Sequence, residues 1–152
     1  MASPRAVAVK RSTGIQYAAL PYRVSGGTLE ILLVTSLRTR RWIIPKGWPI
    51  DGRRPFACAA LEAWEEAGVS GDMEKTAIGQ FQYFKQIKKG VNLPCRVEVF
   101  ALKVTRERKT WPEKGGRVRR WCTVAEAAAT VEEPQLRLLI AKFGAQMTAG
   151  LR

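Results

Sequence analysis

Glu62, Glu65 and Glu66 are the residues of this chain best spaced to do chemistry together. On an α-helix, positions i, i+3 and i+4 fall within an arc of about 100°, so the three carboxylates converge on one patch. Crowded carboxylates repel unless something positive sits among them. A hard divalent cation bound through oxygen meets that need, and Mg²⁺ is favoured when a substrate brings phosphate oxygens of its own. Directly ahead of this segment lies a basic loop with Arg38, Arg40 and Arg41.

The stretch 45–69, PKGWPIDGRRPFACAALEAWEEAGV, must position the glutamates, and it reads as a glycine-bearing loop running into a helix. Pro55 suits the helix's first turn and Gly68 the left-handed residue that ends it. Phe56, Ala60, Ala63 and Ala67 form a narrow stripe of mostly small apolar side chains, which predicts close packing on a sheet with the glutamates facing outward. Strand-like runs occur at 15–24, 29–34, 42–44, 77–84, 95–104 and 117–121, divided by Ser25-Gly26-Gly27, a loop with Lys88, Lys89 and Gly90, and a basic connection at 106–116. Along the last run Arg117 and Arg119 share one face and Arg120 the other. Thr123 and Glu126 have capping-box spacing, and Leu136, Leu139, Ile140, Phe143 and Met147 predict a C-terminal amphipathic helix. Strands interrupted by one helix and closed by others predict a mixed sheet packed between helices.

The chain has 152 residues, 46% of them apolar, which suits a single cored domain over 14–150 behind a flexible basic arm at 1–13. Lys and Arg number 26 against 13 Asp and Glu, a formal charge of +13 that favours polyanionic partners. Cys58, Cys95 and Cys122 have neither disulfide-framework nor zinc spacing, so a reducing, cytoplasmic setting is expected. No apolar run approaches the roughly 18 residues of a membrane span, and no membrane partner is expected. Oligomeric state is not legible in the pattern.

The central stretch resembles the Nudix box, G-x5-E-x7-R-E-U-x-E-E-x-G-U, in which U is a bulky apolar residue. Gly47, Glu62, Ala63, Glu65, Glu66, Gly68 and Val69 stand in register with it, Ala63 being small for its position. Arg53 stands where the family has its first Glu, and Leu61 where it has Arg. An Arg at 61 would pair with Glu65 across i to i+4 for only about 0.2–0.5 kcal/mol on an exposed helix, and Leu61 forgoes that. The resemblance implies an α/β/α sandwich with a central mixed sheet, Mg²⁺ (or Mn²⁺ in its place) on the helix glutamates, and water attack on the phosphorus of a diphosphate.

A narrower resemblance lies downstream. Trp111-Pro112-Glu113, followed by Arg117-Val118-Arg119-Arg120-Trp121, is similar to the W-x-E, R-x-R-x-W pattern of diphosphoinositol polyphosphate phosphohydrolases, enzymes that also cleave diadenosine polyphosphates. Carried over, it implies that Glu62 and Glu66 ligate the metal, with Glu65 in the same set and acting as proton acceptor beside Glu62. It also implies that Arg38, the Lys46-Gly47-Trp48 turn, Lys88, Lys89 and Arg117 meet substrate phosphates, with Trp48 narrowing the pocket or stacking over it. The expected function is Mg²⁺-dependent hydrolysis of a highly phosphorylated small molecule, a diadenosine polyphosphate or a diphosphoinositol polyphosphate. Arg53, Leu61 and the net charge motivate a second reading: a non-catalytic module of the same fold that binds RNA or another polyanion.

Overall fold

Strand β1 (Gly14–Ser25) shows how the molecule is layered: Ala18, Leu20 and Tyr22 enter one apolar core, while Tyr17 and Ala19 enter the other. Successive strand side chains point to opposite faces, so a strand buried on both sides divides its residues between two cores. The same division recurs in β2 (Thr28–Thr35), with Leu29, Ile31 and Leu33 on one side and Leu32 and Val34 on the other. The computed structural model describes residues 14–150; the basic arm expected at 1–13 lies outside the described residues.

Two short strands follow, β3 (Trp42–Ile43) on β2 and β4 (Lys46–Gly47) on β1. Helix α1 (Pro55–Glu62) continues without a break into a π-helical turn, Ala63–Ala67, which ends at Gly68 with φ of 68°. Then come β5 (Val69–Met73), β6 (Gly79–Lys88), β7 (Val91–Glu107) and β8 (Arg119–Thr123), and finally α2 (Val124–Thr130) and α3 (Pro134–Gly150). The sheet runs β3-β2-β1-β7-β5, with β6 also on β7 and β8 on β2. Among the described residues only the β1–β7 pairing is parallel, which makes the sheet mixed.

Helices cover both faces. Ala127 of α2 and Leu136, Ile140 and Phe143 of α3 close the first core, and Ala59, Ala63 and Ala67 close the second. The inward stripe of α1 therefore runs through Ala59, with Ala60 only half-buried. Strand β5 was not expected, because VSGDM has no alternating apolar residues; its pairing to β7 supplies the order instead. Arg117 precedes β8, which begins two residues later than the pattern predicts. Lys88 closes β6 opposite Val91, leaving Lys89 and Gly90 as the hairpin turn. The capping box forms as expected: Thr123 Oγ1 accepts from the Glu126 amide at 3.1 Å and Glu126 Oε1 from the Thr123 amide at 2.7 Å.

Candidate active site

Glu62 and Glu66 do not face outward. They are 1% and 5% exposed, on the floor of a cleft of about 650 Å³, and their carboxylates share a hydrogen bond. Strand β4 crosses directly above them, and Gly47 is what lets it do so: a Cβ there would collide with the carboxylate of Glu62. The Lys46 amide reaches Glu66 Oε1 at 3.4 Å.

The three-carboxylate patch expected of an ideal helix reduces to this pair. Glu65 is half-buried and does not line the cleft, and among the described residues no three acidic, His or Cys side chains are grouped to hold a metal. The π-helical turn accounts for it. Its i to i+5 bonding rotates the chain less per residue than an α-helix, which swings Glu65 away from Glu62 while keeping Glu66 near.

Cations ring the pair. Arg38, Arg41, Lys46, Lys85 and Arg117 line the cleft, against Glu62, Glu66 and Glu113. Arg117 is nearly buried, its Nη2 3.4 Å from Glu66 Oε2, its Nε donating to Glu113 Oε1 at 2.8 Å and its Nη1 to the Thr35 carbonyl at 3.0 Å. Burial pushes the Glu66 pKa up, and the positive charges of Arg117 and Lys46 pull against that rise. Lys46 keeps some surface in the cleft, but protein shields its ammonium, lying 5.1 Å above the Tyr83 ring, enough to lower its pKa to about 8. It still carries its charge at neutral pH.

Not every expected contact sits in the cleft. Arg38, Lys46, Gly47, Trp48 and Arg117 line it; Lys88 and Lys89 are exposed at the tip of the β6–β7 hairpin, outside it. Lys85, three residues earlier along β6, lines it instead. Trp48 is 9% exposed and packs with Cys95 and Leu93, so it forms the cleft's edge rather than an open stacking surface. Arg53 is exposed and, like Leu61, does not line the cleft, which separates both departures from the buried carboxylates.

Sequence reasoning missed several cleft residues. Arg41 is visible in the sequence only as part of the basic loop, and its anchor is not: it is held by Glu133 Oε2 at 2.6 Å, from a residue 92 positions away that is itself 7% exposed. Phe84, at 72% exposure, stands at the rim. Its place out of the apolar alternation of β6 was the available signal, since a large aromatic on a solvent face has no packing role there.

The pair fits a divalent cation. Mg²⁺ is commonly held by one or two carboxylates with substrate phosphates and water completing its shell. The close passage of Gly47 keeps the Glu62 carboxylate in place, and two buried carboxylates side by side form a donor set whose charge a divalent cation would neutralise.

Comparison with known proteins agrees with this geometry. The NUDIX domain family model matches residues 15–143. The chain is 37% identical over 102 residues to Nudix hydrolase 12, mitochondrial, of Arabidopsis thaliana, covering 65% of this chain and 50% of that relative. It is 33% identical over 106 residues to diphosphoinositol polyphosphate phosphohydrolase 3-alpha of Mus musculus, covering 68% of this chain and 60% of that one. It thus spans about half to three-fifths of the length of these relatives. A C. elegans Ap4A hydrolase structure superposes with a TM-score of 0.67 at 21% identity, over 89% of this chain and 98% of that one. With the family model spanning most of the chain and the carboxylate pair on the floor of its cleft, the chain belongs to the NUDIX domain family.

Proposed function

We propose that this chain hydrolyses a diphosphate linkage in a highly phosphorylated small molecule, a diadenosine polyphosphate or a diphosphoinositol polyphosphate, with Mg²⁺ as cofactor and Mn²⁺ able to replace it. The observation that carries the reading is the buried Glu62–Glu66 pair beneath a rim of Arg38, Arg41, Lys46, Lys85 and Arg117. Five cations against the three acids Glu62, Glu66 and Glu113 suit a substrate that brings more negative charge than one diphosphate. The names of the mouse relative and of the C. elegans structure support the same substrate classes.

Glu62 and Glu66 would hold the cation, which when bound supplies charge neutralisation and activation of water. The chain's own part is placement and charge. Arg38, Arg41 and Lys85 receive the outer phosphates, while Lys46 and Arg117 lie nearest the carboxylates and stabilise charge that builds on the phosphoryl oxygens. Of the glutamates expected to take the water's proton, Glu62 lines the cleft and Glu65 does not. The reading therefore assigns proton acceptance to the buried pair, which already shares a hydrogen bond. Among the described residues no helix is long and apolar enough to cross a membrane, and three buried free cysteines suit a reducing compartment such as the cytoplasm.

The test is incubation with Mg²⁺ and a panel of dinucleoside polyphosphates, diphosphoinositol polyphosphates, nucleotide sugars and capped RNA, alongside Glu66→Gln. Metal-dependent product from the first two classes, lost in the variant, supports the reading. Absence of release across the panel, with RNA affinity that falls steeply with salt, would favour the non-catalytic polyanion-binding module.

A further inference from the structure

We propose that the connection between β7 and β8, and Trp111 in particular, is the positioning element for the carboxylate-bearing turn, acting on Glu66 through its backbone. The inference rests on the reading of Glu62 and Glu66 as the cation-holding pair. Four consecutive carbonyls at the end of the π-helical turn are each met by a group from residues 108–119. Glu65 O accepts from the Glu113 amide at 3.0 Å, Glu66 O from the Trp111 indole at 2.9 Å, Ala67 O from Arg119 Nη1 at 2.8 Å and Gly68 O from the Arg108 amide at 2.8 Å.

Helix ends leave their last carbonyls without intrahelical partners, and water or short local turns usually satisfy them. Here the connection satisfies three of them and Arg119, the first residue of β8, the fourth. The same connection also grips the side chain: Arg117 bridges Glu66 and Glu113 while donating to the Thr35 carbonyl. Both the backbone and the carboxylate of Glu66 are thereby referred to one element.

Packing makes the grip rigid. Arg119 lies 4.0 Å over the Trp111 ring, and both press so closely on Gly68 that a Cβ there would collide with them. Trp111 itself does not line the cleft, so it touches no substrate and acts only through the turn it holds. A wide π-helical turn has weaker internal constraint than an α-helix, and outside support is what fixes the direction of its carboxylate.

Trp111→Phe keeps an aromatic ring at the position but deletes the N–H together with the pyrrole part of the indole, so lost packing must be separated from the lost bond. Trp42→Phe is the matched control, since it makes the same truncation against the core on the opposite face of the sheet, away from the turn. Mn²⁺ affinity by electron paramagnetic resonance, kcat and KM, thermal midpoint and amide exchange at 63–68 are read for each. The expected result is a loss of about 10-fold in Mn²⁺ affinity and a similar fall in kcat for Trp111→Phe, with KM within about twofold. Trp42→Phe is expected to keep all three, whatever its thermal midpoint. Arg119→Lys, which loses the fork reaching Ala67 O, moves Mn²⁺ affinity the same way and serves if Trp111→Phe does not fold. Wild-type Mn²⁺ affinity and wild-type exchange at 63–68 in both variants would overturn the inference. A wild-type chain that binds no Mn²⁺ would instead overturn the reading of the site, and exchange at 63–68 would then judge the positioning role alone.

Discussion

On one face of the sheet α3 buries Leu136, Ile140 and Phe143 against Leu20, Ile31 and Val99; on the other, α1 and its π-helical turn present Ala59, Ala63 and Ala67. Bulky side chains fill volume and tolerate rearrangement so long as the volume is kept. Alanines do something different: they bring the helix backbone close to the sheet, where small displacements carry over directly to Glu62 and Glu66. The first face chiefly supplies stability, and the second spends packing volume on placing two buried acids under Gly47.

That contrast can be broken at four points. The largest effect is expected from Glu66→Gln, which removes a member of the pair and the Arg117 contact; metal-dependent turnover should fall by more than the roughly 100-fold that loss of a ligand's supporting partner costs. Gly47→Ala comes next. Its methyl must displace the Glu62 carboxylate, so steady-state kinetics should show kcat reduced by about 10-fold or more while urea denaturation shows a well-folded chain. On the opposite face, Ile140→Ala should cost about 2–5 kcal/mol in urea denaturation yet leave kcat at temperatures well below unfolding near the wild-type value. Loss of turnover matching that of Gly47→Ala would erase the distinction between the faces.

The smallest effect is expected at the two departures from the Nudix box. Leu61→Arg restores an ion pair worth only about 0.2–0.5 kcal/mol, and Arg53→Glu restores an acid at an exposed position outside the cleft. Turnover of the double variant should stay within about threefold of wild type, in line with an energy of that size. A large gain would mean that these positions reach the carboxylates in a way the geometry does not provide for.

How much of this was legible beforehand follows the range of the interactions. The left-handed Gly68, Pro55 at the helix start and the Thr123–Glu126 capping box are local, and the residue types alone announce them. That helices would cover the sheet on both sides was legible from the order of the elements, strands interrupted by one helix and closed by others. The π-helical turn was not, because nothing in AWEEA distinguishes i to i+5 from i to i+4 bonding; contacts from residues 108–119 accompany the wider turn. Likewise Glu133 meets Arg41 across 92 positions, and Lys85 lines the cleft where Lys88 and Lys89 were expected, because strand pairing rather than charge clustering decides which lysine faces inward. Burial of the glutamates was misjudged for a related reason. A charged residue on a helix reads as solvent-facing until a strand with a glycine at the crossing point is known to lie over it.

The central claim is that the Glu62–Glu66 pair directs water onto a phosphorus atom of a polyphosphorylated substrate. The direct measurement is phosphorus NMR of hydrolysis in ¹⁸O-labelled water with Mg²⁺, using a diadenosine polyphosphate and a diphosphoinositol polyphosphate, for wild type and Glu66→Gln. The account predicts one labelled oxygen on a product phosphate in wild type and no labelled product in the variant over the same interval. Label appearing equally in both, or in neither, would contradict it.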